Sequence, residues 1–327
     1  MIKTIGLVGM GKVGRTLVKF FTQNIDSDTP FELLWIVSKH VKQNAIYDSL
    51  VHKNIKIFDS IASIAPETAI DVNSSIIPDA IIIATRDSDI LETSKNISNI
   101  FNTKLENKYI FHLSGALTSN ELLDCYNNKA TVAAIHPFQT FFSESTTCMK
   151  NIAWGIEFNT QTYAKDREII SNFVKKMEGV PIYLSDYSVS HKALYHATSV
   201  AASNFVTAAI ALAVELALAS GINIKDFLPA IINQTIENNT KYILEKENIT
   251  QEKFDIKNKN IKHEFPLTGP IVRGDFDTVE KHLETLKVNS VLHNSYKYFS
   301  SALLELAVAN NKKDEINFDR LREILNK

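Results

Sequence analysis

Thr4-Ile5-Gly6-Leu7-Val8-Gly9-Met10-Gly11-Lys12-Val13-Gly14 is the stretch that decides the fold. Its first five residues form a short, mostly apolar run of the kind found in strands covered on both faces. Directly behind it, Gly9, Gly11 and Gly14 stand in G-x-G-x-x-G spacing, and helical periodicity runs from Val13 to Phe21. The spacing carries meaning in that context: Gly9 permits a tight turn, Gly11 leaves no side chain in the way of a pyrophosphate, and Gly14 lets helix and strand pack closely. The helix N-terminus then offers N–H groups and a positive dipole end to phosphate. Gly9, Met10, Gly11, Lys12, Val13 and Gly14 are therefore candidate cofactor-binding residues.

Working outward, strand-like runs at 32–37, 55–58, 80–84, 109–113 and 132–135 follow through the first half of the chain. Two more, at 153–158 and 181–184, flank a helical pattern from Tyr163 to Met177. After Asp186 helical periodicity dominates, apart from a loop from Lys262 to Gly274. The fold class expected is α/β: an N-terminal Rossmann-type doubly wound sheet with a C-terminal all-helical domain. The change of pattern sets the boundary near Ser185, giving domains 1–185 and 186–327.

Composition limits the function classes. Of 327 residues, 45% are hydrophobic and 22% charged, as expected of a chain with a real core, and the net charge of −2 favours neither nucleic acid nor an anionic membrane as partner. Cys125 and Cys148 form neither a metal pattern nor a disulfide framework. With no signal-peptide pattern over Met1–Gly6, they predict a cytoplasmic protein with reduced thiols. The segment from Ala197 to Val214 carries no charge but is interrupted by Thr198, Ser199, Ser203, Asn204 and Thr207. It predicts a buried helix of a soluble protein rather than a span of ~20 apolar residues. So much apolar helix surface also predicts a homodimer.

The end of the second strand reads Val37-Ser38-Lys39-His40, where an NAD enzyme usually carries a carboxylate for the ribose 2′-hydroxyl. A hydroxyl and an ammonium attract a 2′-phosphate instead, so Ser38 and Lys39 point to NADP(H). Thr85, Arg86 and Asp87 follow the fourth strand, and Ser114 and Gly115 the fifth, where an open sheet binds its ligand. Arg86 and Asp87 fit a surface ion pair equally well.

The segment from His191 to Ser220 reads as one long helix on which Lys192, His196, Ser199, Ser203 and Thr207 fall within an arc of about 80°. Carbonyl reduction places negative charge on oxygen and needs a proton donor or cation beside it. Lys192 and His196 are catalytic candidates for that role, and Ser199 and Ser203 candidate substrate ligands. His136, just after a strand, lines the expected cleft. In the loop Pro266-Leu267-Thr268-Gly269-Pro270-Ile271-Val272-Arg273-Gly274-Asp275, Arg273 suits a substrate carboxylate, and Asp275 suits the N-cap of a helix from Thr278 to Leu286.

Together, Gly9–Gly14, His112-Leu113-Ser114-Gly115-Ala116-Leu117, His136-Pro137, Tyr195-His196-Ala197, Ala202-Ser203-Asn204 and Thr268–Asp275 resemble a family that pairs a Rossmann-like domain with the domain of unknown function 2520. Its architecture is similar to the 6-phosphogluconate dehydrogenase-like reductases. The resemblance implies an NADP-dependent oxidoreductase acting on a small molecule, with ketopantoate as leading substrate, as in the alternative ketopantoate reductase of pantothenate synthesis. It implies that Lys192 matches the catalytic lysine of β-hydroxyacid dehydrogenases, that His196 stands where they carry asparagine, and that Asn204 and Thr268 belong to the site. Reduction of a C=N bond, as in pyrroline-5-carboxylate reductases, and a non-catalytic dinucleotide-binding or redox-sensing role are the alternatives.

Overall fold

Alternation of side chains across a pleated strand is visible directly in the core. Ala80 and Ile82 point into one apolar cluster, Ile81 and Ile83 into the other, and all four are buried. A strand wet on neither face needs cover on both, which is why these runs are continuously apolar. The computed structural model describes residues 1–23, 31–39, 50, 53, 55–64, 77–142, 149–245, 265–310, 316 and 318–326.

Among the described residues there are eight strands: β1 (Thr4–Val8), β2 (Glu32–Val37), β3 (Lys56–Phe58), β4 (Ala80–Ile83), β5 (Tyr109–His112), β6 (Thr131–Pro137), β7 (Ala153–Phe158) and β8 (Val180–Tyr183). They form one sheet in the order β3-β2-β1-β4-β5-β6-β7-β8. The first six run parallel, β7 pairs antiparallel with β6, and β8 parallel with β7. The strand order reverses at β1, a topological switch point of the kind at which open α/β sheets bind ligands. Helices α1 (Lys12–Gln23) and α4 (Ala164–Lys176) cover one face through Leu17, Phe20, Phe21, Phe173 and Val174. Helix α2 (Asp87–Phe101) and the short α3 (Leu123–Asn127) cover the other through Ile90, Ile97, Phe101 and Cys125. Cys125 is a free thiol whose pKa burial pushes up to about 11; Cys148 lies outside the described residues.

Downstream come α5 (Asp186–Ser190), α6 (Lys192–Val200), a π-helical turn (Ala201–Phe205), α7 (Val206–Ala219), α8 (Ile224–Glu245), α9 (Phe276–Leu286), α10 (Ser290–Asn310) and α11 (Asp319–Asn326). The chain forms two compact units, Met1–Ala202 and Ser203–Lys327. The sheet-bearing unit thus extends past the boundary expected near Ser185, because side chains of α6 are tied to β6 and β7. The second unit has its own core of Ile271, Val279, Leu283, Leu304, Phe318, Leu321 and Leu325. Asp275 caps α9 as expected, accepting from the Thr278 N–H at 3.2 Å and its hydroxyl at 2.8 Å.

Two expectations are corrected. The run from Lys192 to Ala219 is helical throughout, yet its π turn holds one residue more than an α turn and ends the regular phase on which the polar stripe was counted. Among the described residues the helix is also largely uncovered: it is long and apolar enough to cross a membrane by length and composition, and 6% of its most apolar window is buried. The reason lies in the second unit, whose core forms on residues 271–325, while α7 contributes only Ala217 to the buried set.

One close approach in the sheet is set by glycine. Gly6 pairs with Trp35 across a register shift in β1, and a Cβ on Gly6 would lie 2.3 Å from the indole. Trp35 is fully buried and stacks on Phe101 at 6.3 Å, so the ring has nowhere to retreat. Gly6→Ala should therefore destabilise the protein by about 1–3 kcal/mol through overpacking. Urea unfolding monitored by tryptophan fluorescence checks this, and an unchanged midpoint contradicts it.

Candidate active site

The glycine turn has the geometry its spacing demands. Gly9 adopts φ +104°, a conformation side chains rarely tolerate, and a Cβ there would meet the Ala84 carbonyl oxygen at 2.5 Å. A Cβ on Gly14 would lie 2.2 Å from the Gly9 carbonyl oxygen, so the first turn of α1 packs against the loop only because Gly14 has none. Gly11 faces open space, with nothing within 4 Å of the Cβ position, as a cradle for a pyrophosphate requires. Lys12 is exposed, its ammonium 5.7 Å from the Phe142 ring. Met10 and Val13 pack partly buried against the core. At the end of β2, Ser38 is half-buried and Lys39 exposed.

Past β5 the chain turns through Ser114–Ser119, and this turn is pinned from four sides. His112 accepts from the Ser114 N–H at Nδ1 (3.2 Å), which leaves Nε2 to donate to the Thr118 carbonyl (2.9 Å). The Ser114 hydroxyl donates to Asp87 Oδ2 (2.8 Å) and accepts from the N–H groups of Ala116 and Leu117 (3.1 Å each). Lys192 Nζ donates to the Leu117 carbonyl (2.6 Å). Glu157 Oε1, from β7, accepts from the Ser119 N–H (2.8 Å) and hydroxyl (3.0 Å).

These bonds revise three assignments. A serine hydroxyl has one donor and two acceptor sites, and all three of Ser114 are used, so its side chain is a turn cap rather than a cofactor ligand. Asp87 reaches across to Ser114 instead of pairing with Arg86. Lys192 is only 4% exposed and forms a 2.7 Å ion pair with the equally buried Glu157. Burial lowers its pKa while the Glu157 carboxylate pushes it back up. The ammonium expected to donate a proton or stabilise charge is instead held by Glu157 and Leu117, where it acts as a strut of the turn.

A second cluster lies at the carboxyl end of β6. His136 Nδ1 is hydrogen bonded to the Tyr195 hydroxyl at 3.1 Å. The His136 ring makes edge contacts with Phe138 (5.1 Å) and His196 (5.9 Å), and Phe138 meets Tyr195 at 4.8 Å. Two glycines make the room. A Cβ on Gly115 would lie 2.8 Å from the His136 ring, and one on Gly155 would lie 1.9 Å from the Tyr195 hydroxyl. Gly155 is the residue paired with His136 across β6 and β7, so the phenol of α6 settles over that pair. Burial pushes the His136 pKa down to about 4, with repulsion from His196 and Lys192 adding to it. The histidine is neutral at pH 7, and burial likewise raises the Tyr195 pKa, keeping the phenol protonated.

The structure thus brings His136, Tyr195, His196, Lys192 and the Ser114 turn together in the first unit. Ser199 is half-buried on α6. Ser203, Asn204, Thr268 and Arg273 fall in the second unit. There the Ser203 hydroxyl donates to Asn204 Oδ1 (2.8 Å), and Gly269 (φ +104°) and Gly274 (φ +68°) shape the loop that carries Arg273. Thr85 and Arg86 close β4, with the Thr85 hydroxyl donating to the Arg86 carbonyl at 3.3 Å. Glu157 escaped the sequence reading, and Tyr195 entered it only within a motif. Their signals are a carboxylate and a glycine inside the buried strand Ala-Trp-Gly-Ile-Glu-Phe, each of which asks for a partner. A separate open cavity of about 770 Å³ at the amino ends of β5 and β6 includes none of these residues.

Residues 152–303 match the family model described as Domain of unknown function (DUF2520). No curated protein matches the sequence. Among solved structures, an imine reductase from Streptomyces aurantiacus is similar at TM-score 0.59 and 13% identity, covering 99% of this chain and 100% of its own. Protein TM1727 from Thermotoga maritima is similar at 0.56 and 18%, covering 94% and 100%. The NADP-bound pyrroline carboxylate reductase of Plasmodium falciparum is similar at 0.52 and 13%, covering 94% and 98%. At these identities the likeness is one of fold, and it bears out the α/β class with a helical C-terminal region.

His112 and His136 share a consequence for stability. Burial lowers the pKa of each from 6.5 to about 4, so below pH 6.5 the unfolded chain binds protons that the folded chain refuses. Stability should be full above pH 6.5 and fall as pH drops towards 4, by up to about 2 kcal/mol per histidine at pH 5. His112→Gln should be less stable at pH 7 but lose less on acidification. Urea midpoints of both proteins at pH 7 and pH 5 test this, and a wild-type midpoint that does not move contradicts it.

Proposed function

We propose that this protein is an NADP(H)-dependent reductase of a small molecule, with a C=N bond as the first choice of reacting group. The observation that carries the reading is the glycine turn. It combines a positive φ at Gly9, an open approach at Gly11 and close packing at Gly14, on the carboxyl end of β1 where the strand order reverses. That cradle fits a dinucleotide pyrophosphate. At the end of β2, Ser38 and Lys39 supply a hydroxyl and a cation where a carboxylate would repel a 2′-phosphate.

When bound, the reduced nicotinamide supplies a hydride. The residues of this chain orient it and the substrate. The pinned turn Ser114–Ser119 offers a fixed backbone surface one strand beyond β4, and the His136–Tyr195 pair adds polar hydrogens in a half-buried setting. A fixed donor beside reacting atoms favours an enzyme over a passive dinucleotide-binding or redox-sensing module. The C=N preference is supported by similar folds that are an imine reductase and a pyrroline carboxylate reductase. A 2-keto acid such as ketopantoate is the second reading. The feature that favours it is Arg273 in the Thr268–Asp275 loop, a side chain suited to a carboxylate.

We further read the protein as a cytoplasmic homodimer. The exposed apolar side chains of the long helix, among them Phe205 at 60% and Leu218 at 57%, have no cover within the described chain, and a second copy would bury them as obligate dimers do.

Two outcomes follow. Isothermal titration should show tighter binding of NADPH than of NADH, and Lys39→Asp should reverse the order; equal or tighter NADH binding by the wild type overturns the NADP assignment. Light scattering at micromolar concentration should give twice the 36.7 kDa chain mass; a monomeric mass refutes the dimer.

A further inference from the structure

We infer that the Tyr195 hydroxyl is the group that hands the substrate its proton, with His136 as the residue that positions it and steadies the phenolate left behind. The inference rests on the reductase reading and adds to it the identity of the acid.

Four candidate acids lie in this region; His196, whose ring meets the edge of His136 at 5.9 Å, is the rival to Tyr195, and an inactive His196→Phe beside an active Tyr195→Phe would assign the proton to it. Lys192 is spent on Glu157 and Leu117 and is almost completely enclosed. His112 is fully buried, with both ring nitrogens committed to the Ser114–Thr118 turn. Tyr195 differs from both. Among the described residues its hydroxyl has one hydrogen-bond partner, His136 Nδ1, and its ring is only half-buried and held edge-on by Phe138.

The placement fits a cofactor lying across the sheet. If Ser38 and Lys39 at β2 take the adenosine end and Gly9–Gly14 at β1 the pyrophosphate, the other half must run on towards β4 and β5. With strands about 4.8 Å apart, β6 and its His136 lie about 14 Å beyond β1 in that direction. Gly115, at the turn after β5, lies directly against the His136 ring. The Tyr195 hydroxyl therefore stands where the row of strand ends has passed the cofactor and reaches the substrate. Neither the missing Cβ of Gly155 under the phenol nor that of Gly115 under the imidazole serves the hydrophobic core. Both open space for this one pair.

The step balances. The carbon of the C=N or C=O group would receive a hydride, with its electron pair, from the bound reduced nicotinamide, which would be oxidised. The π pair moves to the heteroatom, which takes the proton from the Tyr195 hydroxyl. His136, carrying its proton on Nδ1, donates a hydrogen bond to the phenolate, and solvent restores the phenol proton.

The test uses the full-length protein, with NADPH and two probes, 1-pyrroline-5-carboxylate and ketopantoate. Tyr195→Phe keeps the ring contacts and should cut kcat by ~10²–10³-fold. The NADPH Kd should stay within about twofold of wild type, because the hydroxyl acts only as charge develops. His136→Asn retains an N–H donor near Nδ1 and should keep kcat within about tenfold, whereas His136→Phe should fall as far as Tyr195→Phe. Turnover by Tyr195→Phe within about threefold of wild type overturns the inference and leaves the reductase reading standing. So does a parallel loss of NADPH binding in Tyr195→Phe and His136→Asn, which would make the pair structural. Wild type that binds NADPH and reduces neither probe also overturns the acid assignment. Wild type that binds no NADPH removes the reductase reading, and this inference with it.

Discussion

A lysine and a glutamate meet at 2.7 Å with 4% exposure each, and the geometry of the candidate site depends on that pair. Removing two charges from water costs several kcal/mol per ion, so such a pair survives only where further hydrogen bonds complete it. Here they do. Lys192 also holds the Leu117 carbonyl, and Glu157 also holds Ser119. The desolvated charges are thereby turned into a clamp on the Ser114–Ser119 turn. Breaking such a pair from one side costs roughly 3–5 kcal/mol, which makes the turn's position hard to lose. Because Lys192 belongs to α6 and Glu157 to β7, the same contact fixes α6 on the sheet and brings Tyr195 and His196 to the end of β6.

The rest of the site is organised by absent side chains. Gly9 and Gly14 let a loop, a strand and a helix approach within distances no Cβ permits. Gly115 and Gly155 do the same for an imidazole and a phenol. The first pair leaves a cradle for a pyrophosphate, and the second admits a polar pair into a half-buried setting. There desolvation holds the histidine neutral and the phenol protonated at pH 7.

The long helix shows a different constraint. Its sequence is apolar almost all round, and a helix of that kind normally lies inside something. The second unit completes its own core on α9, α10 and α11. Among the described residues that core leaves the apolar surface of α7 largely uncovered, and the π turn Ala201–Phe205 lies where the two units divide.

The sequence alone determined the sheet, the glycine turn and the N-cap at Asp275, because each rests on a short-range rule. Strands covered on both faces read as apolar runs, a positive φ reads as glycine, and a helix start reads as a side-chain oxygen. It also marked His136 and His196 as polar residues worth a role, while Tyr195 stood only within a motif. Only the tertiary structure decided which partners such residues meet. The partner of Lys192 lies 35 positions away on β7, that of Ser114 lies 27 away on α2, and that of His136 lies 59 away on α6. No local pattern records such distances, since they depend on strand order and on how α6 seats against the sheet. The stripe counted on a regular helix failed for the same reason: one π-helical turn, invisible in composition, ended the phase that had linked Lys192 to Ser203 and Thr207.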